Sequence, residues 1–220
     1  MLCGARKSCA LVAALAALVL TAAAALPASG RAASDALTRH ELGKLASGKL
    51  VVRTTEHRER GARYIGGSSW QVINAPPDVV WQAILDTRYY TRMMPQVHQA
   101  KLVKRTGKRR VVYIRHVTGP IDTSYYLIID LDNERREIRF KLDETRDHDL
   151  RAAYGIYAIR SYGRGKTLLA YSIKANIGGG LLSMLVEPLV HEWMLKVPWT
   201  VKRFVEGSGR WIYDFKSAAR

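Results

Sequence analysis

Carboxylates and an imidazole are clustered in one short segment of the sequence. Asp143 and Glu144 are followed closely by Asp147, His148 and Asp149. Carboxylate oxygens with a histidine could ligand a cation, and an imidazole beside a carboxylate could transfer protons. The same composition is typical of a solvated loop between two strands, and we favour that interpretation. The sequence therefore predicts no metal site here, with the chemical alternative left open.

Two other segments contain parts of catalytic motifs, and both motifs are incomplete. Gly165-Lys166-Thr167 matches the end of a phosphate-binding loop, but that motif requires glycine where Arg160 stands, so we predict a hairpin turn. His191-Glu192 begins like the helix of a zinc protease, but the second histidine would fall at Leu195. A polar helix surface, or a pair between His191 and Glu187, is the remaining interpretation.

The rest of the sequence shows no catalytic constellation. It contains no G-x-S-x-G motif, no dinucleotide-binding fingerprint and no catalytic pairing of cysteine with histidine. We therefore predict that the protein uses no cofactor. Cys3 and Cys9 both lie in an N-terminal segment that we expect to be removed, so the mature chain can form neither a disulfide nor a thiolate site.

That N-terminal segment has the pattern of a secretory signal. Arg6 and Lys7 precede an apolar run over Ala10–Leu26, and small residues lead to a cleavage site expected after Gly30. We predict that residues 1–30 are a signal peptide and that the mature protein crosses the inner membrane into the periplasm. An uncleaved membrane anchor is the alternative, because the run approaches the about 20 apolar residues that span a bilayer.

The chain is strongly basic. It has 35 Lys and Arg against 19 Asp and Glu, and removal of residues 1–30 takes away two of the basic residues. In an exported protein this charge favours anionic membrane, acidic polysaccharide or an acidic partner, and we predict no binding to nucleic acid. About 190 residues remain, which is enough for one domain that buries roughly 70% of its unfolded surface.

Positive charge is concentrated between positions 101 and 115, where seven of fifteen residues are Lys or Arg. A solvated edge strand kept soluble by charge would explain this composition, and so would a docking surface for anionic lipid. The residues predicted to contact a membrane are Lys101, Lys104, Arg105, Lys108, Arg109 and Arg110. Near the C-terminus, Trp211, Tyr213 and Phe215 could add interfacial aromatic side chains or cap the core.

The first half of the chain is predicted to pass from helix to sheet and back to helix. Residues 34–48 form a predicted leading helix, with Thr38 and Glu41 at capping-box spacing. Strands follow at 49–56 and 64–74, and Gly66-Gly67 predicts a bulge in the second.

A double proline marks the next change of structure. Proline cannot continue a strand ladder but suits the first helical turn, so Pro77 is predicted to start an amphipathic helix. A second short helix over residues 86–94 should end at Pro95.

From Val97 onward the hydrophobic period is two, interrupted by turn sequences, which predicts antiparallel strands with one apolar face. After the glycine triplet 178–180 the period becomes helical. It predicts one long helix of roughly 40 Å that bends at Pro188 and Pro198 and crosses the whole sheet.

This order of elements resembles the START-like superfamily, the helix-grip fold of birch-pollen-allergen-like, polyketide-cyclase-like and coenzyme-Q-binding proteins. The matching stretches are APPDVVWQAILD at 75–86, MMPQV at 93–97, YGIYAIRSYG at 154–163 with KTLLAY at 166–171, and the glycine triplet. The resemblance covers about residues 48–206. It implies an α+β fold in which a curved antiparallel β-sheet wraps around a long C-terminal helix, with two short helices after the first core strands.

The resemblance also divides the chain and places a cavity within it. Residues 49–206 become the ligand-binding domain, 31–48 a leading extension and 207–220 a tail. An apolar cavity is implied between the sheet and the long helix, with Arg115 and His116 as candidate anchors for a ligand head group. The residues assigned to its wall are Tyr125, Phe140, Tyr154, Tyr171, Leu189, Trp193 and Met194.

Three functions are compatible with these observations. The first is a secreted, non-enzymatic binding protein for a hydrophobic small molecule or lipid, with the basic segment meeting an anionic membrane. The second is a cyclase, dehydratase or hydrolase that positions an apolar substrate with Tyr154, His116 or Arg115. The third is an interaction module whose charge recruits an acidic partner. We favour the first, because a catalytic constellation is absent from the sequence.

Overall fold

The computed structural model describes residues 37–59, 61–119, 121–178 and 181–218. The predicted signal segment lies outside the described residues. Within the described ranges, none of the helices combines the length and the apolar character needed to cross a membrane. The fold is the predicted α+β helix-grip architecture, a curved and open antiparallel sheet with C-terminal helices on its concave side and the leading helix packed against the opposite face.

The sheet contains eight strands in the described part of the chain, in the spatial order β1-β2-β8-β7-β6-β5-β4-β3. All neighbouring pairs are antiparallel, as the turn sequences between them predict. The strands are β1 (Val51–Glu59), β2 (Ala62–Ile73), β3 (Val97–Thr106), β4 (Arg109–Thr118), β5 (Ile121–Asp132), β6 (Glu137–Leu142), β7 (Ala152–Ser161) and β8 (Thr167–Asn176). The edges are β1 and β3, so the basic segment occupies one edge.

The helices lie before, within and after the strands. They are α1 (Arg39–Ala46), α2 (Pro77–Leu85), a single 3₁₀ turn (Thr87–Tyr89), α3 (Tyr90–Met93), α4 (Leu181–Leu195), α5 (Val197–Glu206) and α6 (Ser208–Ala218). The double proline starts α2 as predicted, with Pro76 at the N-cap and Pro77 in the first turn. The capping box of α1 is also confirmed, because Thr38 accepts from the Glu41 amide and Glu41 accepts from the Thr38 amide.

The bulge predicted at Gly66-Gly67 is wrong. The register of β2 with both neighbours continues without a shift through these positions, and the irregularities lie in β3 instead. The glycines are needed for close approach. A Cβ at Gly66 would lie 2.0 Å from the Ile173 carbonyl oxygen, and one at Gly67 would lie 2.1 Å from that of Arg53. Their φ values of 153° and 148° are also unfavourable for other residues.

The single long C-terminal helix is replaced by separate helices. Helix α4 ends at Leu195 and α5 begins at Val197, so the break falls at Lys196 rather than as a bend within one helix. Pro198 is part of the reason, because it has no N–H to donate to the preceding turn. Pro188, in contrast, lies inside α4. The tail continues as α6 and places Tyr213 in the main core.

The main core lies between the sheet, α2, α3 and α5. Val80, Ile84, Met93, Val201 and Phe204 are buried there and belong to one continuous cluster. Helix α5 therefore packs into the main core on the concave face of the sheet. The space beside it, under α4, is left for the cavity.

Candidate ligand-binding cavity

A cavity of about 340 Å³ lies on the concave face of the sheet. Its walls come from the strands β3 to β8, from the α2–α3 region and from the α4 face that carries Val190, Trp193 and Met194. Most of these side chains are apolar. The volume falls within the range of small-molecule pockets, about 300–1,000 Å³, and so does the balance of many apolar groups with a few polar ones.

Strand alternation selects which residues reach the cavity. On β4, Arg110, Val112, Ile114 and His116 line it, each two residues from the next. The intervening side chains project to the opposite face of the sheet, because successive side chains of a strand point to opposite sides. On β5, Thr123, Tyr125, Leu127 and Ile129 line the cavity with the same alternation, and Asp122 lines it in addition.

An aromatic group forms the floor of the cavity. The rings of Tyr157 and Tyr171 are 4.7 Å apart between centroids, and Phe140 lies 5.6 Å from Tyr157 and 6.0 Å from Tyr171. Burial raises the pKa of both tyrosine hydroxyls, so they are neutral hydrogen-bonding groups. Gly155 makes this arrangement possible, because a Cβ at that position would lie 2.3 Å from the Phe140 Cζ.

His116 and Tyr125 form a polar pair in the cavity wall. The His116 Nε2 lies 2.8 Å from the Tyr125 hydroxyl, and the two rings are stacked. Burial lowers the pKa of His116 to about 4, while hydrogen bonds with the backbone of Pro95 and Gln96 act in the opposite direction. Burial raises the pKa of Tyr125. Both groups are therefore uncharged near neutral pH, and the pair can donate or accept a hydrogen bond.

Arg110 is the cation of the cavity wall, and its predicted role as a membrane contact is not supported by its position. The side chain is half-buried, and its Nη1 donates to the Leu85 carbonyl oxygen at 2.8 Å. It lines the cavity from the inner face of β4. The other five members of the predicted set, Lys101, Lys104, Arg105, Lys108 and Arg109, are exposed on the β3–β4 hairpin.

Six of the predicted ligand-binding residues line the cavity together. They are Tyr125, Phe140, Tyr171, Trp193, Met194 and His116. They come from strands β4, β5, β6 and β8 and from α4, so distant parts of the sequence meet at one site.

Three of the predicted residues lie elsewhere. Tyr154 is 38% exposed and packs edge-on against Tyr64, because its position on β7 faces away from the cavity. Leu189 is 42% exposed on the outer surface of α4. Arg115 faces the convex side of β4, where its Nε and Nη2 donate to the Asp122 carboxylate at 2.8 and 2.5 Å. A role for these three as ligand contacts is therefore not supported.

Two functional candidates were missed, and both carried a detectable signal. Tyr157 lies on β7 three residues after Tyr154, so only one of the two tyrosines could face the cavity. In the sheet register Tyr157 pairs with Tyr171, and Gly155 pairs with Phe140. Because a glycine opposite a large aromatic residue leaves room for the ring, this pairing indicates that Gly155 and Phe140 lie on the densely packed inner face of the sheet. The charge of Arg110 predicts an outward orientation, but Arg110 and His116 lie an even number of residues apart and therefore on the same face of β4.

The acidic cluster of the sequence is divided in the structure. Asp143 is buried and accepts from the Thr145 hydroxyl at 2.6 Å and from the Arg146 Nε at 3.0 Å. Asp149 instead accepts from the Ser124 amide at 2.7 Å, at the rim of the cavity. Among the described residues, no group of three or more His, Cys, Asp or Glu side chains could hold a metal ion. The loop interpretation accounts for these contacts.

The remaining motif fragments have structural roles. Gly163 and Gly165 lie in the turn before β8, with φ values of 65° and 67°. Of the two interpretations left open for His191, the pair with Glu187 is not formed. The His191 Nε2 lies 2.5 Å from the Gly66 carbonyl oxygen, whereas Glu187 accepts from Arg63 at 2.7 Å. Both contacts attach α4 to β2.

The C-terminal aromatic residues divide between the two roles considered for them. Tyr213 is 1% exposed and caps the core, where its hydroxyl donates to the Asp86 carboxylate at 3.3 Å. Trp211 is 70% exposed. The side chain of Phe215 lies outside the described residues. The C-terminal segment therefore contributes to the core and also leaves one large indole in solvent.

The sequence matches one protein family over residues 73–197, and that family is described as polyketide cyclase/dehydrase and lipid transport. None of the curated proteins matches the chain significantly.

Solved structures share its fold. It is similar to TTHA0849 from Thermus thermophilus, with 18% identity and a TM-score of 0.56 over 64% of this chain and 94% of that one. It is also similar to the Zhui aromatase/cyclase from Streptomyces sp. R1128, with 15% identity and a TM-score of 0.54 over 73% of this chain and 94% of that one. A STAR-related lipid transfer protein from Xanthomonas axonopodis has 14% identity and a TM-score of 0.51, over 71% of this chain and 98% of that one. At these identities the structural likeness establishes the fold. Because the family match spans more than half of the chain, the protein belongs to the polyketide cyclase/dehydrase and lipid transport family.

Proposed function

We propose that the protein is a non-enzymatic carrier that holds a hydrophobic small molecule or lipid in the cavity. The observation that carries this proposal is the 340 Å³ apolar cavity between the sheet and α4. A ligand that buries about 400 Å² there gains a gross of about 10 kcal/mol at roughly 25 cal/mol per Å², before the costs of association. Binding therefore requires only a few polar contacts.

The proposed carrier exchanges its ligand at an anionic membrane surface through the β3–β4 hairpin. Lys101, Lys104, Arg105 and Lys108 are exposed there, and each cation near anionic headgroups contributes on the order of 1 kcal/mol. Leu102 and Val103 are exposed between them and could enter the headgroup region. The signal pattern of residues 1–30 supports export, so the membrane would be one that faces the periplasm.

Enzymatic turnover in the same cavity is the second candidate, and the His116–Tyr125 pair is the observation that favours it. A neutral imidazole can accept a proton, and a phenol 2.8 Å away can donate one. An apolar substrate bound between the sheet and α4 would lie beside this pair. Unchanged turnover of an identified substrate by a His116→Ala variant would contradict a catalytic role for the imidazole.

Native mass spectrometry of the protein expressed from the 220-residue sequence tests the carrier proposal. Solvent extraction of the same sample identifies any bound molecule. A lipid or isoprenoid at one copy per protein is the expected result. A ligand-free mass that does not change when membrane extract is added would refute the proposal.

A further inference from the structure

Arg110 is a cation in the cavity wall without a counter-ion in the described part of the chain. Its Nη1 donates to the Leu85 carbonyl oxygen, but its Nε is buried and has no hydrogen-bond partner there. None of the ion pairs among the described residues includes it. One edge of the guanidinium, formed by Nε and Nη2, is therefore left without an acceptor.

The surrounding charges do not compensate Arg110. Asp86 acts on it electrostatically, but that carboxylate already accepts from Arg88 at 2.7 and 2.6 Å and from the Tyr213 hydroxyl. Arg105 adds a like charge. Burial lowers the pKa of Arg110, which shows that its environment disfavours the charged form. A partly buried charge without a counter-ion destabilises a protein, so the position favours an anion from outside the chain.

The cavity is polar at two separated points along β4. Arg110 and His116 lie six residues apart on the same face, which is roughly 20 Å at about 3.3 Å per residue. Val112 and Ile114 separate them, and the His116–Tyr125 pair at the far point is uncharged. Asp122 and Asp149 also line the cavity at that end, where they accept from Arg115 and from the Ser124 amide. A cation at one end, an apolar middle and no free cation among the described residues at the other end match an elongated molecule with a negative charge at one end.

We infer that the ligand is a long-chain carboxylic acid whose carboxylate binds to Arg110 and whose hydrocarbon chain runs along β4 toward His116. The Nη2 of Arg110 has no acceptor among the described residues and is not enclosed as Nε is, so a carboxylate oxygen can accept a charge-assisted hydrogen bond from it. This inference rests on the proposed carrier function and adds the chemical class of the ligand. It also transfers to Arg110 the head-group role that was predicted for Arg115.

The test compares hexadecanoic acid with its methyl ester, which has the same chain but no charge. Displacement of the neutral dye N-phenyl-1-naphthylamine from the protein expressed from the 220-residue sequence measures both affinities. Wild-type protein is expected to bind the acid at least about tenfold more tightly than the ester, a difference typical of one charge-assisted contact. In Arg110→Met the two affinities should become nearly equal, because the ester gains nothing from the guanidinium.

Arg109→Met is the matched control, since it removes the same charge from the next residue on the exposed face of β4. It should keep the wild-type preference for the acid. Equal binding of acid and ester by the wild type, or a preference that survives in Arg110→Met, would overturn the inference while leaving the carrier function intact. Failure of the wild type to bind dye, acid and ester would refute the carrier function itself. The wild-type comparison does not depend on the folding of any variant.

Discussion

Gly155 on β7 lies directly opposite Phe140 on β6, and a Cβ at position 155 would come within 2.3 Å of the Phe140 Cζ. The same Cβ would lie 2.3 Å from the Ser172 backbone oxygen, which cannot move away as a side chain can. The absence of a side chain at one residue thus fixes the orientation of the aromatic floor of the cavity.

Replacement of this glycine should destabilise the protein. We expect Gly155→Ala to lower the free energy of unfolding by about 1–3 kcal/mol, the usual cost of overpacking. Urea denaturation followed by tryptophan fluorescence measures the change. Gly43→Ala is the control, because nothing lies within 4 Å of its added Cβ and alanine favours a helix interior. Equal stability of Gly155→Ala and the wild type would contradict the close contact with Phe140.

Filling the cavity should prevent ligand uptake without unfolding the domain. In Ile114→Trp the larger side chain can extend into the cavity, and we expect the affinity for a neutral apolar dye to fall at least about tenfold, or ~1.4 kcal/mol. Dye fluorescence titration gives the affinity, and circular dichroism confirms the fold. Tyr113→Trp places the same indole on the opposite face of β4 and should bind the dye normally. Comparable binding by both variants would show that the dye binds elsewhere.

The buried imidazole should make stability depend on pH between about 4 and 6.5. The folded-state pKa of His116 is lowered to about 4 from an ordinary value of 6.5, so in this range the unfolded chain binds a proton that the folded protein does not. Stability therefore decreases as the pH falls through this range, by roughly 3 kcal/mol in total at about 1.4 kcal/mol per pKa unit, and levels off below the folded-state pKa. Above pH 6.5 the imidazole is neutral in both states and contributes nothing to the slope.

Denaturation curves of His116→Gln across the same pH range test this dependence. The variant should be less stable near neutral pH, because Tyr125 loses its partner, and its stability should fall less steeply toward pH 4. His98→Gln, which alters an exposed histidine on β3, should retain the wild-type slope. An unchanged slope in His116→Gln would assign the pH dependence to other groups.

Charge reversal on the hairpin should weaken membrane binding specifically. We expect Lys104→Glu/Lys108→Glu to reduce binding to phosphatidylglycerol-containing vesicles by at least ~2 kcal/mol, at about 1 kcal/mol for each cation removed. Vesicle sedimentation at low and high salt measures the loss, since screening should weaken the wild-type interaction too. Lys141→Glu/Arg164→Glu changes the net charge equally at exposed positions outside the hairpin. If both double variants lose the same affinity, net charge rather than the hairpin controls binding.

Much of the fold could be predicted, because its signals are local. The double proline at 76–77 specifies where a strand gives way to helix, and turn sequences specify where antiparallel strands end. The break at Lys196 was not predicted, since the apolar spacing continues across it and proline also occurs inside α4. Whether a proline bends or ends a helix depends on tertiary packing, which periodicity does not contain.

The site was predicted less completely because it depends on which face of each element is the inner one. Tyr154 and Tyr157 differ in parity on β7, and a shift of one residue moves a side chain to the other face of a strand. Leu189 and Val190 differ by about 100° around α4, so a small error in rotation exchanges the outer and inner residues. The inward position of Arg110 was not predicted, because charged side chains are usually exposed and rarely lie in a cavity wall.

The break between α4 and α5 separates the residues that line the cavity from those that form the core. Helix α5 contributes Val201 and Phe204 to the core, whereas α4 contributes Val190 and Trp193 to the cavity. Substitutions at these α4 positions can therefore change which molecule fits while the residues that determine folding stay intact. Natural variants of this chain could acquire new ligand preferences through α4 at little cost in stability, and the same helix is where a protein engineer should place a library.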